Sequence, residues 1–200
     1  MRVSAANELQ KLSALLEDLM ESETVSDGTL AESATQQKEL WAWREGIAEA
    51  LGHGGGVYKY DVSIPLAELY TLVDDVRVKM GEANLLSTVD NPENVVIDVV
   101  GYGHMGDSNL HLNVAVRNYD KRVEKVLEPF VYEWIQKRRG SISAEHGLGV
   151  AKSDFVQYSR GETELGVMKA IKTLFDPKGK FAAKVSADQA DMCCHSGILK

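Results

Sequence analysis

The sequence predicts an α+β fold, a mostly antiparallel sheet with helices packed on it. Two observations carry this expectation. Segments with a helical apolar period alternate with short segments of strict two-residue alternation. The clearest of the latter, Asn109-Leu-His-Leu-Asn-Val-Ala-Val116, puts Leu110, Leu112, Val114 and Val116 on one face and Asn109, His111, Asn113 and Ala115 on the other. One apolar and one polar face suit a half-buried strand of an antiparallel sheet. Alternation of helices with strands would by itself equally allow a parallel sheet.

The elements follow in order. Ser4 to Ser22 predicts a helix with a stripe of Leu9, Leu12, Leu15, Leu16 and Leu19 opposite Glu8, Lys11, Glu17 and Asp18. Thr24 to Leu30, short and β-branched, reads as a strand leading to a loop. Ser33 to Gln36 is polar and could start the next helix, expected from about Gln37 to Leu51. Arg44 falls inside the apolar stripe of that helix, among Leu40, Ile47 and Leu51. Its stem can cover core while its head reaches water, or its guanidinium can grip a substrate carboxylate. Gly52-His-Gly-Gly-Gly56 follows a helix and precedes a strand, the reverse of a phosphate-cradling loop.

Val57 to Ser63 alternates, with Val57, Lys59 and Asp61 on one face and Tyr58, Tyr60 and Val62 on the other. Lys59 is then either a solvent-side lysine or a second cationic anchor. Pro65 suits a first helical turn, Leu66, Leu69, Val73, Val76 and Met80 form the next stripe, and Gly81 is expected to stop the helix. Leu85 to Glu93 has turn composition, and a strand is expected near Val95–Tyr102. A long helix from Asp120 to about Arg139 should kink at Pro129. A last helix should cover Glu162 to Phe175, ended by Asp176-Pro177.

Length and composition suit a globular domain with a real core. A formal charge of −8 argues against a general nucleic-acid partner. No apolar run reaches membrane-spanning length, and the N-terminus carries no signal or presequence pattern. Cys193 and Cys194 are adjacent and offer neither a disulfide framework nor metal-finger spacing, so a reducing compartment is the default.

Chemistry concentrates in two stretches, Gly101-Tyr-Gly-His-Met-Gly-Asp-Ser-Asn-Leu-His-Leu-Asn113 and Gly140-Ser-Ile-Ser-Ala-Glu-His-Gly-Leu-Gly149. Together they offer His104, His111 and Glu145 as a three-ligand metal set, with His146 beside it as a base. Imidazole and carboxylate suit zinc and its first-row neighbours, and three protein ligands leave a position for substrate or water. A strand would set His111 and Asn113 side by side, about 7 Å apart. His104 cannot lie on that strand facing the same way, because seven residues is an odd separation. A reversal is needed, and Gly106-Asp107-Ser108 has turn composition. The competing reading is a hairpin whose histidines are merely polar surface.

Gly103 to Asn113 and Ser143 to Gly149 resemble the signatures of the C-terminal substrate (cap) domain of FAD-linked 2-hydroxy-acid dehydrogenases. Within that family, Trp43-Arg-Glu45, Val57-Tyr-Lys-Tyr-Asp-Val-Ser63, Val131-Tyr-Glu-Trp134 and Gly140–Gly149 look closest to the branch that oxidises D-2-hydroxyglutarate; D-lactate dehydrogenases belong to the same family. The resemblance runs from about Ser4 to Gly179. It implies a flavoprotein oxidoreductase using FAD, a 2-hydroxy acid substrate, a separate electron acceptor and a mitochondrial location. It implies that His104, His111 and Glu145 ligate a divalent metal, usually zinc. His146 would be the catalytic base and touch substrate, Arg44 and Lys59 would anchor substrate carboxylates, and Asn113 would make a further substrate contact.

The sequence departs from the family in places. The family's flavin-binding domain precedes this region, and nothing in these 200 residues replaces it, so that domain is expected to be absent from this chain, which would also lack the first strand of the substrate domain. This leaves a non-catalytic metal- or acid-binding remnant as an alternative to the dehydrogenase. Ser108 stands where the family usually has Gly, and Ala48 where it has a Thr that contacts substrate. Residues 180–200 diverge from the family's ending and are expected to be a disordered tail.

Overall fold

The computed structural model describes residues 5–149 and 152–181, and the chain divides into two compact units, residues 1–50 and 51–200. The first unit holds helix α1 (Ala5–Glu21) and most of helix α2 (Ala34–Gly52). The segment from Thr24 to Leu30, expected to be a strand, is irregular. Its first amides are spent on the end of α1: Glu23 turns at φ 55°, and the N–H groups of Thr24 and Val25 both reach the Leu19 carbonyl. A strand pairing there would have to forgo those bonds. The leucine stripe of α1 forms as read, but Leu9, Leu12 and Leu15 each remain about half exposed.

The second unit is built on a three-stranded antiparallel sheet of β1 (Gly56–Ser63), β2 (Val96–His104) and β3 (Asn109–Val116), in the order β1-β3-β2. The antiparallel option is therefore the one realised. One face carries Tyr60, Val62, Leu110, Leu112, Val114 and Val99, buried with α3 (Leu69–Glu82), α4 (Lys121–Leu127) and α5 (Phe130–Lys137) in one hydrophobic core. Gly101 is required on this face, because a Cβ there would lie 2.4 Å from Val73 Cγ2 on α3. Helix α3 runs one residue past Gly81, and Asn84 takes the left-handed position at φ 53°. The helix expected from Asp120 to Arg139 is two helices. Asp120 caps α4 by accepting the Arg122 N–H at 2.8 Å, and the helix ends at Leu127, before Pro129, which has no N–H to continue the ladder.

After α5, Arg139 turns at φ 57° and Gly140 brings the chain against the end of β1. Ser63 and Ser141 exchange backbone hydrogen bonds of 3.0 and 2.8 Å. Gly140 permits this approach, since a Cβ would lie 2.5 Å from the Ser63 carbonyl oxygen. Beyond the resulting loop, a 3-10 helix over Ser153–Tyr158 packs Phe155 and Tyr158 against Tyr132, an element the periodicity did not announce. Helix α6 (Glu162–Phe175) matches its expected bounds. Asp176 then gathers the N–H groups of Lys180 and Phe181. The expected tail lies, from residue 182 onward, outside the described residues. No helix among the described residues is long and apolar enough to cross a membrane.

Candidate functional site

The strand register lays out the polar face of the sheet in rows. Lys59 pairs with Asn113, Asp61 with His111, and Ser63 with Asn109 across β1 and β3. On the other side of β3, Tyr102 pairs with His111 and His104 with Asn109. Residues two apart on a strand share a face, so Lys59, Asp61, Tyr102, His104, Asn109, His111 and Asn113 all stand on the side away from the hydrophobic core. The expected reversal exists. Met105–Asp107 form one 3-10 turn and Ser108 closes it in the left-handed region, at φ 62° and ψ 27°. This folding back sets the His104 and His111 rings edge to face, with centroids 5.3 Å apart.

The loop after Ser141 brings Glu145 and His146 to the same place. Glu145 Oε1 lies 3.6 Å from His111 Nε2, and 3.8 Å from both His104 Nε2 and His146 Nε2. What holds the loop is Asp61, by its sequence one polar residue on an alternating strand. Its Oδ2 accepts the N–H groups of Ala144, Glu145 and His146 at 3.1, 3.0 and 2.9 Å. Its Oδ1 accepts from Asn109 Nδ2 at 2.6 Å and faces His111 Nδ1 at 3.6 Å. Burial opposes ionisation of Asp61, yet the N–H groups of His146 and Glu145 and the Asn109 amide outweigh it. The carboxyl is held below its ordinary value. Ser143 Oγ, donating to the His146 carbonyl, tightens the same turn.

Among the described residues, two sets of side chains have ligand atoms close enough for one ion: His104, His111 and Glu145, and Asp61, Glu145 and His146. Around a tetrahedral zinc with bonds of about 2.0–2.1 Å, ligand atoms stand about 3.3 Å apart. The Glu145–His111 and Glu145–His104 separations of 3.6 and 3.8 Å are close to that. In the second set both Asp61 oxygens already accept protein N–H groups. The first set is thus the better match in donor chemistry.

Asn113 is buried beside this cluster, its amide donating to the His111 carbonyl at 3.0 Å. Lys59 stands opposite Asn113 and is exposed. Arg44 lies half-buried on α2, in the first unit. The arrangement brings two imidazoles and a carboxylate close enough to share a divalent cation, with the Nε2 of a third imidazole, His146, 3.8 Å from the same carboxylate oxygen. A carboxylate on Lys59's face of the sheet would meet a cation. Asp61 could have been found from sequence only as a carboxylate sharing a strand face with Lys59; its partners lie 83 to 85 residues further on.

Comparison with known proteins agrees with this architecture. The family described as FAD linked oxidases, C-terminal domain, matches residues 2–185, and the chain belongs to it. It is 59% identical over 171 residues to a protein of Schizosaccharomyces pombe provisionally named a mitochondrial D-lactate dehydrogenase, covering 85% of this chain and 32% of that protein. It is 44% identical over 173 residues to a mitochondrial D-2-hydroxyglutarate dehydrogenase of Arabidopsis thaliana, covering 86% and 29%. A D-2-hydroxyglutarate–pyruvate transhydrogenase of Saccharomyces cerevisiae is 42% identical over 170 residues, covering 85% and 34%. The chain spans about a third of the length of these curated relatives.

Proposed function

We propose that this chain supplies the substrate and metal site for FAD-dependent oxidation of a D-2-hydroxy acid, D-2-hydroxyglutarate to 2-oxoglutarate, in a mitochondrial protein that passes its electrons to a separate acceptor. The observation that carries the reading is the convergence of His104, His111, Glu145 and His146 around one carboxylate oxygen, in a chain of this family. His104, His111 and Glu145 would hold a divalent cation, zinc by the nature of the donors. When bound, the cation supplies a Lewis acid that lowers the pKa of the substrate hydroxyl, and FAD supplies the hydride acceptor.

The chain's own residues account for the rest. Oxidation of a 2-hydroxy acid removes a proton from the hydroxyl oxygen and a hydride from C2. His146 takes the proton at Nε2, as a general base held beside the site by its own backbone bond to Asp61. Asn113 offers an amide to the substrate. Lys59, on the same face of the sheet, offers a cation to one of its carboxylates, and holding a charged end helps orient C2. A D-lactate substrate is the second reading, favoured by the 59% identity to the relative that carries a D-lactate name. It would need one carboxylate anchor rather than two.

Calorimetric titration of the zinc-loaded chain separates these readings. D-2-hydroxyglutarate should bind only with zinc present, and Lys59→Ala should weaken it by roughly tenfold or more, as loss of a charge-assisted hydrogen bond does. D-lactate binding with no response to D-2-hydroxyglutarate would favour the second reading. No metal-dependent binding of either acid would leave the acid-oxidising reading without support.

A further inference from the structure

We infer that Asp61 is the positioning residue of this site: it latches the Ala144–His146 loop to the sheet and orients His111, and the cation affinity of the His104–His111–Glu145 set depends on it. The inference rests on the metal reading above and adds a residue to it.

Residues 142–148 form neither helix nor strand. Three consecutive backbone N–H groups of that loop, those of Ala144, Glu145 and His146, converge on one oxygen, Asp61 Oδ2, at 2.9–3.1 Å. The Ala144 N–H also reaches the Asp61 backbone carbonyl at 3.3 Å. Such a concavity of successive amides is selective for an anion. The carboxylate that fills it sits on β1, the strand to which Ser141 is already paired. Two of the three amides belong to Glu145 and His146, so their Cα atoms are fixed by the latch. Glu145's side chain then reaches both histidines from a set backbone position.

The other oxygen does a second job. Oδ1 lies 3.6 Å from His111 Nδ1, while His111 Nε2 points to Glu145 at the same distance. A carboxylate on the Nδ1 side of the ring favours the orientation in which Nε2 faces a metal. Asn109 fixes that oxygen through its 2.6 Å bond and is itself buried. One carboxylate thus sets two of the three ligands, although it ligates nothing.

Two substitutions divide these roles. Asp61→Ala removes both. Asp61→Asn can keep its oxygen toward the three loop amides and turn its NH2 toward Asn109. Asn109 can accept that donor by flipping, because its Oδ1 is buried without a hydrogen-bond partner. Asp61→Asn therefore keeps the latch and loses the carboxylate behind His111.

The test is zinc affinity of the 200-residue chain, by competition with a chromophoric chelator, together with the visible spectrum of the cobalt(II)-loaded chain. Partners of ligating histidines typically contribute ten- to a hundredfold in affinity. Asp61→Asn should lose roughly tenfold and keep the cobalt band shape. Asp61→Ala should lose roughly a hundredfold or more and change the bands, which a mere loss of global stability would not do. An Asp61→Ala chain that melts cooperatively and binds zinc as tightly as wild type overturns the inference. If Asp61→Ala does not fold, Asp61→Asn decides: the tenfold loss supports it and wild-type affinity overturns it. A wild-type chain that binds neither ion, or binds zinc equally well after His104→Ala, overturns the metal reading itself and this inference with it.

Discussion

Asp61 and His111 are direct cross-strand partners on β1 and β3, and their side chains meet on the polar face with Oδ1 3.6 Å from Nδ1. That pairing joins the two chemical stretches of the chain. The hairpin histidines are tied to the Glu145–His146 loop by a residue that belongs to neither stretch.

The turn between His104 and His111 carries local strain. Ser108 occupies the left-handed region at φ 62°, where an L-residue with a Cβ costs about 1–2 kcal/mol. Ser108→Gly removes that cost and adds back some unfolded-state entropy. The variant should be more stable by about 0.5–1 kcal/mol, read as a higher urea midpoint with unchanged slope. A lower midpoint would mean that the serine is held there by contacts worth more than the strain.

Two glycines of β2 should respond differently. At Gly103 a new Cβ would lie 2.2 Å from the Asn109 carbonyl oxygen, a backbone atom that cannot turn aside. At Gly101 it would meet Val73 Cγ2 at 2.4 Å. Both alanine variants should lose about 1–3 kcal/mol of stability, the usual cost of overpacking. Only Gly101→Ala should be rescued by Val73→Ala, and only Gly103→Ala should also weaken zinc binding, because His104 is its neighbour. Equal rescue of both in denaturant titrations would contradict the assigned clashes.

Lys152 gives a pH dependence of known sign. Burial pushes its ammonium below the ordinary lysine value of 10.5, while the charges of Asp61 and Glu128 pull the other way. Its Nζ donates to the Ile142 carbonyl at 3.2 Å. Between the lowered folded value and 10.5 the unfolded chain binds more protons, so stability should rise with pH across that window. Lys152→Met should lack this rise. Measuring both proteins by chemical denaturation from pH 8 to about 10.5 and taking the difference isolates it. A parallel pair of curves would show that Lys152 is not desolvated.

The fold was legible wherever one face of an element meets the core. The alternation of Asn109–Val116 gave a strand and the face that joins the hydrophobic core, but not that Asn109, Asn113 and Ala115 on the other face are buried too. The odd spacing of His104 and His111 required a turn, and the turn lies between them. Where the outcome depends on contacts distant in sequence, the sequence was silent. Asp61 looks like any polar residue of an alternating strand until the loop 83 residues later folds onto it. Thr24–Leu30 departs for a local reason: it has strand composition, but its first amides satisfy the end of α1 five and six residues back. Pro129 was readable as a disturbance, and the missing N–H makes it a full break between α4 and α5.

The most direct test of the account is X-ray absorption at the zinc edge of the chain loaded with one equivalent of zinc. The account predicts only nitrogen and oxygen neighbours at about 2.0–2.1 Å, with outer scattering from two imidazoles that falls to one in His111→Ala. Sulfur scattering at about 2.3 Å would place the ion at Cys193 and Cys194. Sulfur there, or imidazole scattering unchanged by the substitution, would contradict a metal centre at His104, His111 and Glu145.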